Sequence, residues 1–237
     1  MAEERHRRGA VDVKELYVFC EGHTEQAFCN QVLARQLDYL RSVAVHTIRV
    51  AFSRKKGVVH RGGVKRYEPL RRDILNKLKG RRDKDVQFTS MLDLYGLPPD
   101  FPGKDQHIRD PNNPMKYVEA LETAFGQDIG DRRFVPHLQL HEYETLLYAD
   151  LDAFAYAFEN CERAVEQLKE EVKDFPTIEH INDGQQTAPS KRIIRVLPAY
   201  QGRKTTAGPD IAEYIGLTKL REKCPHFDEW VKAIEQL

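Results

Sequence analysis

Hydrophobic and polar positions follow two different periods along this chain. Short apolar runs typical of strands cover residues 16–20, 46–52, 86–92 and 134–140. Apolar residues three or four positions apart predict helices over residues 24–40, 67–78 and 115–129. Strands that alternate with helices predict an α/β fold with a mostly parallel central sheet flanked by helices. Because the later pattern is mainly helical, we divide the chain into an α/β core, residues 1–150, and a helical C-terminal extension, residues 151–237, packed on that core.

Three of the predicted strands end in an acidic residue. Glu21, Asp93 and Glu142 each follow an apolar run closely, and Glu25 lies in the first turn of the helix after Glu21. The carboxyl ends of parallel strands meet at one edge of a sheet, so we expect these carboxylates to converge there. Taken alone, Glu21 and Glu25 fit equally well an exposed turn and a favourable charge at a helix N-terminus. Glu144 follows Glu142 by two residues, and helical spacing predicts that one of this pair faces solvent.

A site made of carboxylates favours hard cations. Glu21, Glu25, Asp93 and Glu142 offer only oxygen atoms, which Mg²⁺ or Mn²⁺ prefer over zinc. The segment His141-Glu142-Tyr143-Glu144 lacks the HExxH spacing of zinc proteases. A hard cation polarises phosphoryl oxygens and activates water, which makes phosphodiester chemistry the natural expectation, although such a site can also bind without reacting.

The formal net charge of zero conceals two oppositely charged regions. Residues 53–84 contain 13 Lys or Arg against three acidic residues, while residues 142–183 contain 12 acidic residues against three Lys or Arg. A basic segment favours a nucleic-acid partner, although the pattern alone also fits a solvated loop and a basic helix face. The candidate phosphate-binding residues are Arg54, Lys55, Lys56, Lys65, Arg66, Lys191 and Arg203. Residues 202–209 are predicted to form a flexible basic loop, and residues 152–175 a long acidic helix with a solvated face.

Composition narrows the class of protein further. Of the 237 residues, 41% are hydrophobic and 31% are charged, which suits a folded protein with a real core. No stretch is long and apolar enough for a membrane span or a signal peptide. The four cysteines have no metal-ligand spacing, so we expect free thiols and a cytoplasmic location.

Several motifs resemble known families. Strand, Glu-Gly-x-Thr-Glu and helix resemble the first motif of the Toprim domain, shared by topoisomerases, primases and nucleases of the overcoming-lysogenization-defect (OLD) type. More closely, a series of seven motifs resembles, nearly end to end, a bacterial family of unknown function with a Toprim-like fold. These motifs are EGHTE, GGVKRY, LDLYGLP, LHEYETLL, INDGQQTAPSKR, AGPDIAEYIGL and CPHFDEW. The resemblance implies an ATPase partner of the AAA/ABC type and a role in phage defence.

The resemblance also implies roles for individual residues. Glu21 matches the motif-one glutamate, a metal ligand or general acid/base, and Asp93 matches the first aspartate of the Toprim DxD motif. Tyr95 stands where the second aspartate is expected, and Glu142 or Glu25 could replace that ligand. Lys204 could correspond to the basic residue that stabilises the transition state in OLD-type nucleases, with Lys191 as the alternative.

Three functions are compatible with these residues. The leading hypothesis is a Mg²⁺- or Mn²⁺-dependent nuclease that cuts DNA or RNA, with Glu21, Asp93 and Lys204 as catalytic residues. The alternative is a non-catalytic regulatory subunit that binds nucleic acid or an ATPase through a degenerate Toprim site, which the departure at Tyr95 motivates. A third is a phosphotransfer or nucleotide-hydrolysing enzyme, which the same carboxylates would serve.

Overall fold

The fold is built on a parallel sheet between two layers of helices. The computed structural model describes residues 14–50, 54–55, 58–59, 66–81, 83, 85–110, 113–181, 184 and 187–236. The strands are β1 Lys14–Cys20, β2 Val43–Arg49, β3 Arg54–Lys55, β4 Val58–Val59, β5 Val86–Asp93, β6 Phe134–Val135 and β7 Leu138–Gln139. The α-helices are α1 His23–Phe28, α2 Ala34–Arg41, α3 Tyr67–Gly80, α4 Pro114–Ile129, α5 Phe154–Ala157, α6 Glu162–Val172, α7 Pro189–Val196, α8 Lys204–Ile215, α9 Leu217–Lys223 and α10 Pro225–Glu235.

The sheet brings the carboxyl ends of its strands to one edge. Its order is β2-β1-β5-β6, β7 also pairs with β5, and every pairing in it is parallel. Cys20 is in register with Arg49 of β2 and with Met91 of β5, while Asp93 is in register with Gln139 of β7. The predicted α/β fold with a mostly parallel sheet is therefore confirmed. The short strands β3 and β4 form a separate antiparallel pair.

The two faces of the sheet have separate cores, as the alternation along β1 requires. Leu16, Val18 and Cys20 pack on one face with α1, the 3₁₀ helix Tyr143–Ala149 and the C-terminal helices. Tyr17 and Phe19 pack on the other face with α3 and α4. The C-terminal helices thus share a core with β1. None of the helices in the described part of the chain combines the length and apolar character needed to span a bilayer.

The first helix begins earlier and is less regular than the sequence predicted. Gly22 is its N-cap, and the Gly22 N–H donates to the Glu25 carboxylate at 2.7 Å. Glycine has no side chain that could cap the helix, and the Glu25 carboxylate instead satisfies the N–H of the N-cap residue. A π-helical segment, Cys29–Leu33, separates α1 from α2.

The strand predicted over residues 134–140 is broken into β6 and β7. Pro136 has no N–H to donate to a ladder, which interrupts the strand there. Ser90 of β5 bridges the gap, because its hydroxyl donates to the His137 carbonyl at 2.9 Å and accepts from the His137 N–H at 3.0 Å. The register of the two strands against β5 is therefore the same on both sides of the break.

Two C-terminal predictions were wrong. Residues 152–175 do not form one helix, because the chain leaves α5 at Phe158 and passes through a left-handed Asn160 (φ 54°) before α6 begins. Residues 202–209 are not a flexible loop, since α8 begins at Lys204. Gly208 is small for packing: a Cβ there would lie 3.0 Å from the Tyr200 hydroxyl.

Candidate functional site

Glu21 lies where β1 leaves the sheet and is held against the end of β5. Its Oε2 accepts a hydrogen bond from the Asp93 backbone N–H at 3.0 Å. The carboxylate lies directly over Gly96, where a Cβ would be 2.3 Å from Glu21 Oε1. The missing side chain at position 96 therefore makes the room that Glu21 occupies.

Asp93 is the last residue of β5 and the most constrained acid of this edge. Its side chain is half-buried, and its Oδ1 is a buried atom with no hydrogen-bond partner among the described residues. Burial, together with the charges of Glu25, Glu21, Glu142 and Glu144, raises the pKa of Asp93 well above its usual range. A buried carboxylate oxygen without a proton donor is a natural place for a cation.

Glu142 and Glu144 enter the same edge through a strained turn. His141, just before them, is fully buried with a left-handed backbone (φ 63°), and its Nε2 lies 2.8 Å from the Glu179 carbonyl oxygen. Burial lowers the pKa of His141 to about 4, so this ring is neutral at physiological pH. The Glu142 carboxylate accepts a hydrogen bond from the Ser190 N–H at the start of α7.

The expectation that one glutamate of this pair faces solvent was wrong. Glu142 is half-buried, while Glu144 is buried with 5% of its surface exposed. Glu142 has an extended backbone (φ −155°, ψ 167°) and precedes the 3₁₀ helix Tyr143–Ala149, so helical spacing does not apply between the two residues. Both carboxylates therefore act electrostatically on Asp93.

Lys204 supplies a positive charge next to these acids. Its Nζ lies 3.0 Å from Glu144 Oε1, and the Tyr200 hydroxyl lies 3.3 Å from the same oxygen. The charge of Lys204 also acts on Glu25 and Glu142. Lys204 is the first residue of α8. Gly208 allows α8 to pack closely, since a Cβ added there would lie 3.6 Å from Thr24 Cγ2. This packing brings Lys204 to the site.

The acids of this edge suppress one another's ionisation. Burial and the charge of Glu25 raise the pKa of Glu21 to about 8, against the hydrogen bond from Asp93, which lowers it. Burial raises the pKa of Glu25, which the Glu144 charge also raises, and burial and the Glu144 charge raise the pKa of Glu142. Five acids with one neighbouring lysine form a site that holds protons or attracts cations.

The donor set fits a hard cation. Glu21, Glu25, Asp93 and Glu142 offer only oxygen atoms, and the Asp93 Oδ1 atom has no competing donor in the described part of the chain. Among the described residues, one group of acidic, His or Cys side chains brings three ligand atoms within 4.8 Å of one another. That group does not belong to this edge. The charges of these carboxylates raise one another's pKa values, and a bound cation would relieve that repulsion.

Tyr95 closes one side of the site. Its hydroxyl accepts a hydrogen bond from Arg109 Nη2 at 2.8 Å, and its ring lies 5.5 Å from the ring of His141. The Arg109 guanidinium carbon also lies 5.2 Å from the centre of the Tyr95 ring. An arginine-clamped phenol therefore occupies the position where the resemblance implies a second aspartate.

The predicted phosphate-binding residues are dispersed. Lys56 and Lys65 lie outside the described residues, and for Arg54 and Lys55 the strand β3 is described without their side chains. Arg66 is exposed just before α3. Lys191 is exposed on α7, next to Ser190. Arg203 donates to the Ala157 carbonyl at 2.8 Å and lies over the Phe158 ring.

Sequence reasoning missed four contributors. Glu144 pairs with Lys204, the Tyr200 hydroxyl donates to Glu144, the Ser190 N–H donates to Glu142, and Gly96 makes room for Glu21. Only Gly96 carried a usable signal, as a glycine three residues after a strand-terminal acid. The others are brought in by segments distant in sequence or by a backbone conformation that no local pattern indicates.

The fold and site define a parallel α/β protein with an acidic, lysine-bearing cluster at the carboxyl edge of its sheet. Residues 20–235 match the family described as domain of unknown function DUF4276, and the chain belongs to that family. Comparison with curated proteins and with solved structures returned no match.

Proposed function

We propose that this protein is a metal-dependent nuclease that hydrolyses phosphodiester bonds of DNA or RNA at the acidic edge. The observation that carries the proposal is the convergence of acids from the ends of β1 and β5 and from the segment after β7 around a buried Asp93 oxygen, with Lys204 beside them. A bound divalent cation would relieve the repulsion between these acids and could in turn bind a phosphate oxygen.

The acids have distinct roles in this proposal. Glu21, Asp93 and Glu142 would hold Mg²⁺ or Mn²⁺, with Glu25 as a further ligand. A bound cation of this class polarises the phosphoryl oxygen and stabilises the charge that develops as the bond breaks. Ser190, through its N–H to Glu142, and Gly96, beneath Glu21, fix the orientation of two of these ligands.

The lysine and the basic segments would bind the substrate. Lys204 is held 3.0 Å from Glu144, so its charge is directed into the site and can balance charge on a phosphoryl group. Arg66, exposed at the N-cap of α3, and the other basic residues between β2 and α3 would bind phosphates on either side of the scissile bond. A Toprim-type site, an AAA/ABC-type ATPase partner and a role in phage defence belong to this proposal through the resemblance of the sequence motifs.

The test is cleavage of labelled single- and double-stranded DNA and RNA by the full-length chain with Mn²⁺ and with EDTA. We expect metal-dependent cutting that falls by at least about 100-fold in Glu21→Gln, since the change removes one metal-binding carboxylate at nearly constant volume. Glu170→Gln on the exposed face of α6 is the matched control and should cut normally. Full activity of folded Glu21→Gln with metal would overturn the site assignment.

A second function is favoured by one observation, the arginine-clamped Tyr95. A tyrosine in place of a metal-binding aspartate suits a subunit that binds nucleic acid or an ATPase without cutting. Weak or absent Mn²⁺ binding together with no cleavage, with and without the partner ATPase, would favour this alternative. Cleavage that appears only with the ATPase would favour the nuclease.

A further inference from the structure

A second cluster of ligand-type side chains lies away from the acidic edge. It consists of Glu122 on α4, His137 between β6 and β7, and His226 on α10, and we call it the histidine cluster. One ligand atom from each residue lies within 4.8 Å of the other two, at a single place in the described residues. His226 Nε2 is 3.1 Å from the Glu122 carboxylate, and His137 Nδ1 is 3.6 Å from Glu122 Oε1.

These separations are those of a tetrahedral metal site. Metal–ligand bonds of about 2.1 Å at tetrahedral angles place neighbouring ligand atoms about 3.4 Å apart. The two separations to Glu122, 3.1 and 3.6 Å, lie on either side of that value. The third separation, between the two histidine nitrogens, is within 4.8 Å.

The surroundings hold the three ligands in place. Glu122 Oε1 accepts a hydrogen bond from the Leu138 N–H at 2.7 Å. The His137 ring stacks on Trp230 at 4.2 Å and 7°, and it also stacks on the His226 ring at 5.0 Å. Oriented imidazoles and a carboxylate held by a backbone donor are typical of the surroundings of a bound metal.

Burial of two histidines here has a cost that packing alone does not explain. His137 and His226 expose 1% and 4% of their surface, and His137 Nε2 and His226 Nδ1 have no hydrogen-bond partner among the described residues. A buried polar atom without a partner destabilises a fold, and apolar side chains would fill the same space without that loss. The unpartnered nitrogens are on the far side of each ring, while the nitrogens that face Glu122, His137 Nδ1 and His226 Nε2, are the candidate ligand atoms.

We propose that Glu122, His137 and His226 bind a zinc-class transition-metal ion that fastens α10 to α4 and the sheet. Two imidazole nitrogens and one carboxylate oxygen suit Zn²⁺, and also Co²⁺ or Ni²⁺, better than Mg²⁺. Glu122 lines an open surface cavity of about 550 Å³ beside α4, so an ion can enter from solvent and a water can complete the site. The ion would link positions 104 residues apart in the chain.

The test is Zn²⁺ binding to the untagged full-length chain after metal removal with EDTA and dialysis. We expect one zinc equivalent that raises the melting temperature, and a visible Co²⁺ spectrum of tetrahedral type. Glu122→Gln, His137→Gln and His226→Gln should each weaken zinc binding by at least about tenfold. The absence of a zinc equivalent in the wild-type protein would overturn the proposal.

Matched variants distinguish zinc bound at the histidine cluster from zinc bound at another place in the chain. Glu119→Gln lines the same cavity without supplying a ligand, and Glu21→Gln alters the acidic edge, so both should bind zinc normally. His226→Cys keeps a ligand and should add a thiolate-to-cobalt band, which a purely structural histidine could not produce. Loss of zinc binding in Glu21→Gln, or a His226→Cys protein without that band, would show that the metal lies elsewhere.

Discussion

The acidic edge and the histidine cluster lie in one fold but are assembled in opposite ways. All candidate ligand atoms of the acidic edge are oxygens, and its main acids follow parallel strands whose ends the topology must bring together. The histidine cluster combines nitrogen and oxygen and joins a helix, a strand break and the last helix of the chain. In the first, the charges of neighbouring acids raise the pKa of Asp93, whereas ring stacking and a hydrogen bond join the residues of the second. The comparison shows that the ends of parallel strands bring like-charged acids to one edge, whereas helices distant in the sequence bring different ligand types to one point.

The strongest effect should come from a variant that alters the acidic edge and leaves the histidine cluster intact. Gly96→Ala places a Cβ 2.3 Å from Glu21 Oε1, so the carboxylate must leave its position. We expect loss of at least about 100-fold in cleavage and a destabilisation of about 1–3 kcal/mol, with zinc binding at the histidine cluster unchanged. Cleavage kinetics and chemical unfolding measure the two effects.

Two comparisons control this variant. Gly80→Ala, in the last turn of α3, has nothing within 4 Å of the added Cβ and should be neutral or slightly stabilising. In a Glu21→Ala background, Gly96→Ala should lower stability much less, because the carboxylate with which the new Cβ clashes has been removed. An equally large effect in both backgrounds would contradict the steric account.

An intermediate effect concerns the lysine. Lys204→Met leaves the buried Glu144 without its cation, and we expect about 10- to 100-fold slower cleavage and about 1–2 kcal/mol lower stability. Lys191→Met, on the exposed face of α7, is the matched variant and the competing basic residue. Slower cleavage in Lys191→Met with normal Lys204→Met would transfer the role to Lys191.

The weakest effect is a difference in pH dependence. The pKa of Glu21 is raised from 4.5 to about 8 on folding, so its favourable contribution is present below 4.5 and is lost as pH rises through about 8. We therefore expect metal-free stability to fall as pH increases across this range, and Mg²⁺ or the Glu21→Gln change to flatten the dependence. Urea unfolding at several pH values measures it, and rising stability over the same interval would refute it.

The histidine cluster should contribute little to this dependence. Burial and the neighbouring His226 lower the pKa of His137, which favours folding at higher pH. Burial lowers the pKa of His226, but the hydrogen bond and charge of Glu122 outweigh burial and raise it overall, which favours folding at lower pH. The two contributions oppose one another. In Glu21→Gln the remaining slope should therefore come mainly from Asp93, Glu25 and Glu142, whose pKa values are also raised, and should be smaller than in the wild-type protein.

Much of the acidic edge followed from local pattern. Glu21, Asp93 and Glu142 were predicted at strand ends and the structure brings them to one edge, because parallel strands leave little choice of position. Lys204 was predicted from resemblance to OLD-type nucleases and lies against Glu144. The roles of all these residues in catalysis stay predictions. The two-part division at residue 150 also stays a prediction.

Other features of the structure could not be predicted from the local sequence pattern. Pro136 signalled a break in the last strand, but the Ser90 hydroxyl that bridges it comes from another strand. The small residues near Gly208 predicted a flexible loop. The sequence does not distinguish a glycine that permits close packing, as Gly208 does, from a glycine that allows the backbone to bend. Helical spacing placed one of Glu142 and Glu144 in solvent, whereas the extended backbone at Glu142 removes that spacing.

The α/β class, the strand-terminal acids and the separation of basic and acidic segments followed from the amino-acid sequence alone, since they depend on periodicity and on neighbours in the chain. Three-dimensional packing was needed to show which helix carries a lysine into the acidic edge, and to bring Glu122, His137 and His226 together. Contacts between residues about 60 to 100 positions apart depend on how helices pack on the two faces of the sheet. That packing is a property of the whole core and leaves no trace in the local pattern.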